Sequence, residues 1–211
     1  MAIINQGILG AVTGSIGPVT SYVRYGKNIL RTRRNSGVVK STTARLAQRE
    51  KIEICNAFTG AFTGTGFFNT TFPAYEHGGS GYNRATGCLM NLAIAGSYPG
   101  QYISWQKTLI ARGPLPPAED VSVSKDSSGN CIFQWADNSG IGTARQTDKV
   151  ILCAYCPSKK KAIFSLDAGT RAKGNAVLNV AVFENEEAAT WISFLNANGD
   201  VANSVFAGMV S

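Results

Sequence analysis

The chain has 211 residues, of which 44% are hydrophobic, so it can bury one large core or two smaller ones. Its 20 lysine and arginine residues outnumber 13 acidic residues, giving a formal net charge of +7. Five cysteines are an odd number, which disfavours a secreted disulfide framework. With no signal peptide or long apolar stretch, we expect a protein of the cytoplasm, or one assembled from it into a virion or filament.

A glycine-spaced segment opens the chain. Its glycines, at positions 7, 10, 14, 17 and 26, separate short runs of β-prone residues. The composition of residues 18–25 predicts a strand, and Gly26-Lys27 predicts a turn into a second strand. This β-hairpin or extended arm contains too few bulky apolar residues to be stable alone. We therefore expect another domain or subunit to hold it.

Two helices are predicted next. One begins with an N-cap at residues 41–43 and continues to Phe58. The other lies within residues 82–96, where apolar residues recur at helical spacing to form one continuous face: Ala85, Cys88, Leu89, Leu92 and Ala93. Residues 59–81 are expected to form a long loop or broken strands, and residues 101–112 have the composition of a strand.

A proline-rich segment marks the expected domain boundary. Residues 111–120 contain three prolines and a glycine, which interrupt both helical and strand patterns. Residues 1–112 carry twelve basic and three acidic residues, whereas residues 113–211 carry eight basic and ten acidic residues. We expect an α+β assembly region with a basic arm in residues 1–112, a linker in 113–120 and a β-sandwich in 121–211.

The C-terminal half contains seven short strand-like runs separated by turn residues, which is the number expected for a β-sandwich. It resembles fibronectin type III domains over residues 116–211. Trp135 matches the tryptophan of the family's second strand, and Tyr155 matches the tyrosine of its third. The sequence departs from that pattern at Trp191, where the family usually has tyrosine, and in a lengthened connection after the second strand.

The whole chain is also similar to a family of uncharacterised bacterial proteins. The shared landmarks are a glycine-spaced opening, a basic step, a helix, a "SWQKTLIARGPLP" segment and a "WADNSGIGTARQTDKVIL" sandwich segment. In this chain they lie at residues 7–19, 26–31, 43–49, 104–116 and 135–165. The resemblance implies a shared architecture and carries no assigned activity.

Groups with catalytic potential are few. His77 is the one histidine, so any catalytic triad would have to use it, and Glu76 lies beside it in a glycine-rich loop. Nothing in the sequence around them is placed to orient an imidazole for proton transfer. We expect no enzymatic activity and no small-molecule substrate.

Cys153 and Cys156 have the CxxC spacing of zinc and redox sites. On a strand, however, residues three apart point to opposite faces, which prevents both from holding one metal ion. No glycine-rich segment ends in the Lys-Ser/Thr of a phosphate-binding loop. We therefore expect no metal site and no cofactor.

The basic run of residues 24–51 is the strongest indication of a partner, because it contains nine lysine or arginine residues and one acidic residue, Glu50. It could bind an acidic surface of a neighbouring copy, which the opposite charges of the two halves favour in a head-to-tail arrangement. Alternatively, it could follow the phosphates of a nucleic acid. Self-assembly is favoured because no recognised nucleic-acid-binding fold accompanies the arginines.

These observations predict a mainly β protein with two helices, built from an α+β N-terminal region and a fibronectin type III-like β-sandwich. The predicted function is a non-enzymatic structural subunit of a repeating assembly, in which the arm adds as a strand to the next subunit. The predicted strand anchors at the interface are Val19, Tyr22, Val23 and Tyr25. The predicted partners of acidic groups or of nucleic acid are Arg24, Lys27, Arg31, Arg33 and Arg34.

Overall fold

The computed structural model describes residues 3–5, 11–24, 26–33, 37, 40–74, 79–184 and 186–211. Its contacts divide the chain into two compact units, Met1–Thr42 and Thr43–Ser211. Strands predominate in both units, and helices lie in the second. The predicted mainly β fold class is confirmed.

The first unit is a four-stranded antiparallel sheet. Its strands are β1 (Ile3–Asn5), β2 (Ala11–Ile16), β3 (Val19–Arg24) and β4 (Lys27–Thr32), which lie in chain order across the sheet. The predicted hairpin is therefore present as β3 and β4. Gly26 has φ +73°, a left-handed conformation that this two-residue turn requires and that glycine adopts without a steric penalty.

The second unit begins with three helices, α1 (Thr43–Gly60), α2 (Phe67–Thr71) and α3 (Gly81–Leu92). Both predicted helices are present, and α2 lies where a loop or broken strands was expected. The Ser80 hydroxyl caps α3 by accepting a hydrogen bond from the Asn83 N–H at 3.2 Å. Among the described residues, none of the helices is long and apolar enough to cross a membrane.

Short elements connect the helices to the sandwich. They are the paired strands β5 (Ile94–Ala95) and β6 (Tyr102–Ile103), followed by a 3₁₀ turn at Trp105–Lys107. The strand expected over residues 101–112 is thus limited to two residues. Beyond the turn, Ile110 and Ala111 are buried, so the remainder of this segment packs without forming a sheet strand.

The seven predicted sandwich strands are all present: β7 (Glu119–Lys125), β8 (Asn130–Ala136), β9 (Lys149–Cys156), β10 (Lys161–Ser165), β11 (Asn175–Asn179), β12 (Ala188–Leu195) and β13 (Val205–Val210). They form a sheet in the order β10-β9-β12-β13 and a second sheet in the order β11-β8-β7. All pairings within these sheets are antiparallel. This is a fibronectin type III-like β-sandwich.

The sheet β10-β9-β12-β13 is buried on both faces. From β9, Leu152 and Ala154 pack into the core between the two sandwich sheets. The alternate residues Cys153 and Tyr155 pack into a second core together with Phe58 of α1. Since successive residues of a strand point to opposite faces, one strand contributes to both cores. The unit therefore has three layers, namely two sheets and a layer of helices.

The observed boundary between units differs from the predicted linker at residues 113–120. Within that segment, Leu115 and Ala118 belong to the core between the sheets. The Leu115 N–H also donates to the Val201 carbonyl at 3.1 Å. Shared cores hold the helices and the sandwich together, and the contact boundary lies between Thr42 and Thr43.

A buried arginine organises the long connection between β8 and β9. Arg171 is fully buried, and its Nε donates to Asp148 Oδ2 at 3.1 Å. Its other guanidinium nitrogens donate to the Asn138 side chain and to the Pro116 carbonyl. The Trp135 indole in turn donates to the Arg171 carbonyl at 2.8 Å. This network explains why the "WADNSGIGTARQTDK" segment carries Trp, Asn and Asp at these positions.

We expect Asp148→Asn to lower the free energy of unfolding by about 3 kcal/mol or more, because it leaves the charge of buried Arg171 without a carboxylate. The matched control is Asp167→Asn, which removes the carboxylate of the exposed Lys149–Asp167 pair. That control should cost less than about 1 kcal/mol. Urea unfolding of both variants measures the difference, and equal losses would contradict the structural role of the network.

Two glycines of α3 should respond oppositely to alanine. A Cβ at Gly81 would overlap the Phe68 carbonyl, whereas one at Gly87 would meet no atom within 4 Å. Gly81→Ala should therefore be destabilising, and Gly87→Ala should stabilise by up to about 1 kcal/mol through its higher helix propensity. Thermal unfolding measures both. A stable Gly81→Ala variant would mean that the α2–α3 contact is looser than described.

Candidate assembly surface

The register of the N-terminal sheet determines which side chains share a face. Ser21 pairs with Gly14 on one side and with Leu30 on the other, and Thr20 pairs with Ser15 and Arg31. Directly paired residues project to the same face, and successive residues along a strand alternate. The two faces of β2–β4 can therefore be read from these pairs.

One face is apolar. It carries Ile16, Val19, Val23 and Leu30, and all four side chains are exposed, with Leu30 at 68% and Ile16 at 57%. Among the described side chains of this unit, Ser21 alone is buried, and its hydroxyl donates to the Val12 carbonyl at 2.5 Å. The described part of the sheet thus has an apolar face but no buried apolar side chain of its own.

The opposite face is basic. Arg24 pairs with Lys27 across the β3–β4 turn, and the Arg31 guanidinium lies 5.5 Å from the centre of the Tyr22 ring. This distance is within the range of a cation–π contact. Residues 1–42 contain six lysine or arginine residues and no aspartate or glutamate. No carboxylate side chain within this unit can therefore neutralise its charge.

The structure separates the predicted interface residues into two groups. Val19 and Val23 lie together on the apolar face, whereas Tyr22 lies on the basic face beside Arg31. Arg33 extends the pairing of β3 with β4, since its N–H donates to the Pro18 carbonyl. Tyr25 and Arg34 lie outside the described residues.

The position of β3 bears on the predicted strand addition. Residues Val19–Arg24 pair with β4 along their whole length, and Val19–Ser21 also pair with β2, so β3 lies inside the sheet and not at its edge. Within the described residues, the outer edge of β4 has no strand partner. The predicted strand addition would therefore use an outer strand such as β4 (Lys27–Thr32), and Val19 and Val23 lie on an exposed face of the sheet.

Ile16 and Leu30 were not among the residues predicted from the sequence for this surface, yet both lie exposed on the same face as Val19 and Val23. The face that they share depends on the register of the strands, and in "KNILRT" the adjacent Ile29 and Leu30 give no simple alternation from which to choose it. The register follows from the turn at Gly26, because a two-residue connection fixes which residues of β3 and β4 are opposite.

The chemical groups considered for catalysis do not assemble among the described residues. Glu76 and His77 lie outside those residues. Cys153 points into the helical core and Cys156 into the core between the sheets, which confirms that the two thiols face opposite sides of β9. In the part of the chain that is described, no group of three or more His, Cys, Asp or Glu side chains could hold a metal ion.

The comparisons with known proteins place the chain in a family. A family model described as a family of unknown function matches residues 6–208, which span both compact units. The chain belongs to the DUF6266 family. A search of curated proteins finds no match. It stays a prediction that DUF6266 members share the basic arm and come from bacteria.

Among solved structures, the DUF6266 chain is similar to the fn3 domain of the human collagen alpha-1(XX) chain, determined in solution. The two are 13% identical, and the match covers 46% of this chain and 84% of the fn3 domain, with a TM-score of 0.31. The fold assignment above rests on the strand order of the two sandwich sheets.

All five cysteines of this DUF6266 chain are buried and free. Burial raises the pKa of Cys55 and of Cys131 to about 11, and it raises the pKa of fully buried Cys153 as well. Since the thiolate is the nucleophile, these groups are poor nucleophiles at neutral pH.

We expect a thiol reagent such as Ellman's reagent to react slowly with the folded protein at pH 8 and with five thiols after unfolding. With a pKa of about 11, roughly one Cys55 thiol in a thousand is ionised at pH 8. The reaction should accelerate as the pH rises toward 11. Rapid modification of Cys153 or Cys156 in the folded protein, located by mass spectrometry, would contradict their burial.

Proposed function

We propose that this protein is a non-enzymatic structural subunit that self-assembles into a repeating structure, such as a filament or a virion component. The observation that carries the proposal is the exposed apolar face of the N-terminal sheet, formed by Ile16, Val19, Val23 and Leu30. A sheet with one apolar face gains stability when that face is covered. Contiguous exposed apolar surface is typical of interaction sites.

The partner that we propose for this face is a second copy of the chain. The charge distribution supports this choice, because residues 1–112 are strongly basic whereas residues 113–211 have a small acidic excess. Contact between unlike regions of successive copies is favoured by attraction between these charges. A head-to-tail contact of this kind continues from copy to copy, which produces a repeating assembly.

The proposal thus changes the predicted mode of contact while keeping the predicted role. Val19 and Val23 would be buried by packing of the sheet face, and the open edge of β4 could add further strand pairing. The basic face would then remain available to acidic groups of the neighbouring copy.

A full-chain variant with Val23→Lys and Leu30→Lys tests the self-assembly. Both lysines would place charge on the apolar face, so the large particles expected of the wild type should become monomers. The measurement is size-exclusion chromatography with light scattering on nuclease-treated protein. Circular dichroism checks that the variant remains folded.

The matched control is Val177→Lys with Val182→Lys, which introduces the same two charges at exposed valines of the sandwich unit. This control should assemble like the wild type. A monomeric wild type, or a double variant that assembles normally, would show that this face does not mediate self-assembly.

A second candidate function is nucleic-acid binding by the basic segment of residues 24–51. It is favoured by the placement of Arg24, Lys27 and Arg31 with Tyr22 on one face, where arginines could contact phosphates and the ring could stack on a base. Replacing the three cations by glutamine should then weaken binding of single-stranded RNA and flatten its salt dependence. If the nuclease-treated protein does not bind single-stranded RNA that is then added, this function is excluded.

A further inference from the structure

A groove of about 950 Å³ opens on the helical side of the second unit. Its volume is at the upper end of the roughly 300–1,000 Å³ typical of ligand pockets. It lies along α3, beside the end of α2 and the segment that leads into the sandwich. Its lining includes Phe72, Arg84, Asn91, Leu92, Arg112 and Asn203.

The groove has a cationic character. Arg84 and Arg112 contribute two guanidinium groups, and the described lining contains no carboxylate. Arg84 is anchored in the wall, because its Nε donates to the Phe72 carbonyl at 2.8 Å and its Nη1 donates to the Gly79 carbonyl. These carbonyls fix the orientation of Arg84.

Arg112 differs from Arg84 because its side chain is exposed. Its main chain is fixed, since the Arg112 N–H donates to the Thr71 carbonyl at 3.0 Å. The guanidinium interacts with the thiol of Cys88, whose pKa is raised by burial and lowered to a smaller extent by Arg112. A thiol is a weak acceptor, so a carboxylate would be a stronger partner for this guanidinium.

Two side-chain amides also line the groove. The Oδ1 of Asn203 accepts a hydrogen bond from the Gly113 N–H at 3.2 Å, so this oxygen already has a partner within the protein. Asn91 is exposed on the last turn of α3. An amide group offers both donors and an acceptor, the combination that peptide N–H and C=O groups require.

The groove also has an apolar wall. Leu92 follows the helical spacing of the buried face of α3, yet it is 46% exposed and lines the groove with Phe72 and Pro114. The prediction that Leu92 packs against a core was therefore wrong, whereas the other four residues of that predicted face are buried. An aliphatic side chain of a ligand could cover Leu92 and gain the free energy of apolar burial.

We propose that this groove binds an extended peptide segment that carries a carboxylate next to an aliphatic residue. The carboxylate pairs with Arg112, the peptide backbone bonds to the Asn91 and Asn203 amides, and the aliphatic side chain covers Leu92. A peptide fits better than a nucleic acid because the groove combines one exposed guanidinium with an apolar wall and offers no series of cations along a phosphate backbone. The site is separate from the N-terminal sheet and does not rest on the proposed self-assembly.

Calorimetric titration of the full chain tests the site with an acetylated pentapeptide of alternating leucine and aspartate. The wild type should bind it, and the matched peptide with asparagine in place of aspartate should bind about tenfold more weakly or worse. Inorganic phosphate distinguishes a simple anion site. Phosphate binding as tight as that of the acidic peptide would overturn the assignment to a peptide.

Two variants locate the binding on the protein. Arg112→Gln removes the cation, and Asn91→Asp places a repelling carboxylate at the groove. Each should weaken binding of the acidic peptide by about tenfold or more. The matched control is Arg145→Gln, which removes an exposed arginine of the sandwich and should leave the affinity unchanged. Absence of binding to the wild type at millimolar peptide, or unchanged affinity in Arg112→Gln, would overturn the proposal.

Discussion

The sheet β10-β9-β12-β13 is the element on which the second unit depends, because hydrophobic side chains cover both of its faces. On β12, Trp191 packs into the helical core, and its neighbour Ile192 packs into the core between the sheets. A strand buried on both faces cannot show the apolar–polar alternation of a half-exposed strand. The apolar runs "VILCAYC" and "AATWISFL" have this cause.

Much of the sandwich could be predicted from the sequence because each strand is bounded by turn residues, and turn chemistry is local. The three-layer arrangement could not be predicted so easily. Prolines at residues 114, 116 and 117 predicted a linker, but Leu115 lies in a core that the two sheets create together. The helical spacing predicted that Leu92 is buried, but it gave no information on the groove that leaves this side chain exposed.

The candidate assembly surface was predictable in composition but not in geometry. The tyrosines and arginines of residues 22–33 are evident in the sequence, whereas the separation of Val23 from Tyr22 follows from alternation within a sheet of known register. The same alternation separates the cations of this basic segment from its valines and leucine, which creates an amphipathic sheet. Its two faces favour different partners, since apolar surface prefers burial and guanidinium groups prefer anions.

The helical layer also determines whether the sandwich can be separated from the rest of the chain. Fibronectin-like sandwiches are often handled as modules that can be cut at their ends and joined to other chains. Here a fragment beginning at residue 116 would lack Phe58, Phe62 and Phe67, whose rings lie against the outer face of the sheet. Its Tyr155, Phe164 and Trp191 would meet water, which gives the fragment a large aggregation-prone patch. The helices and the sandwich therefore form one unit with a shared core.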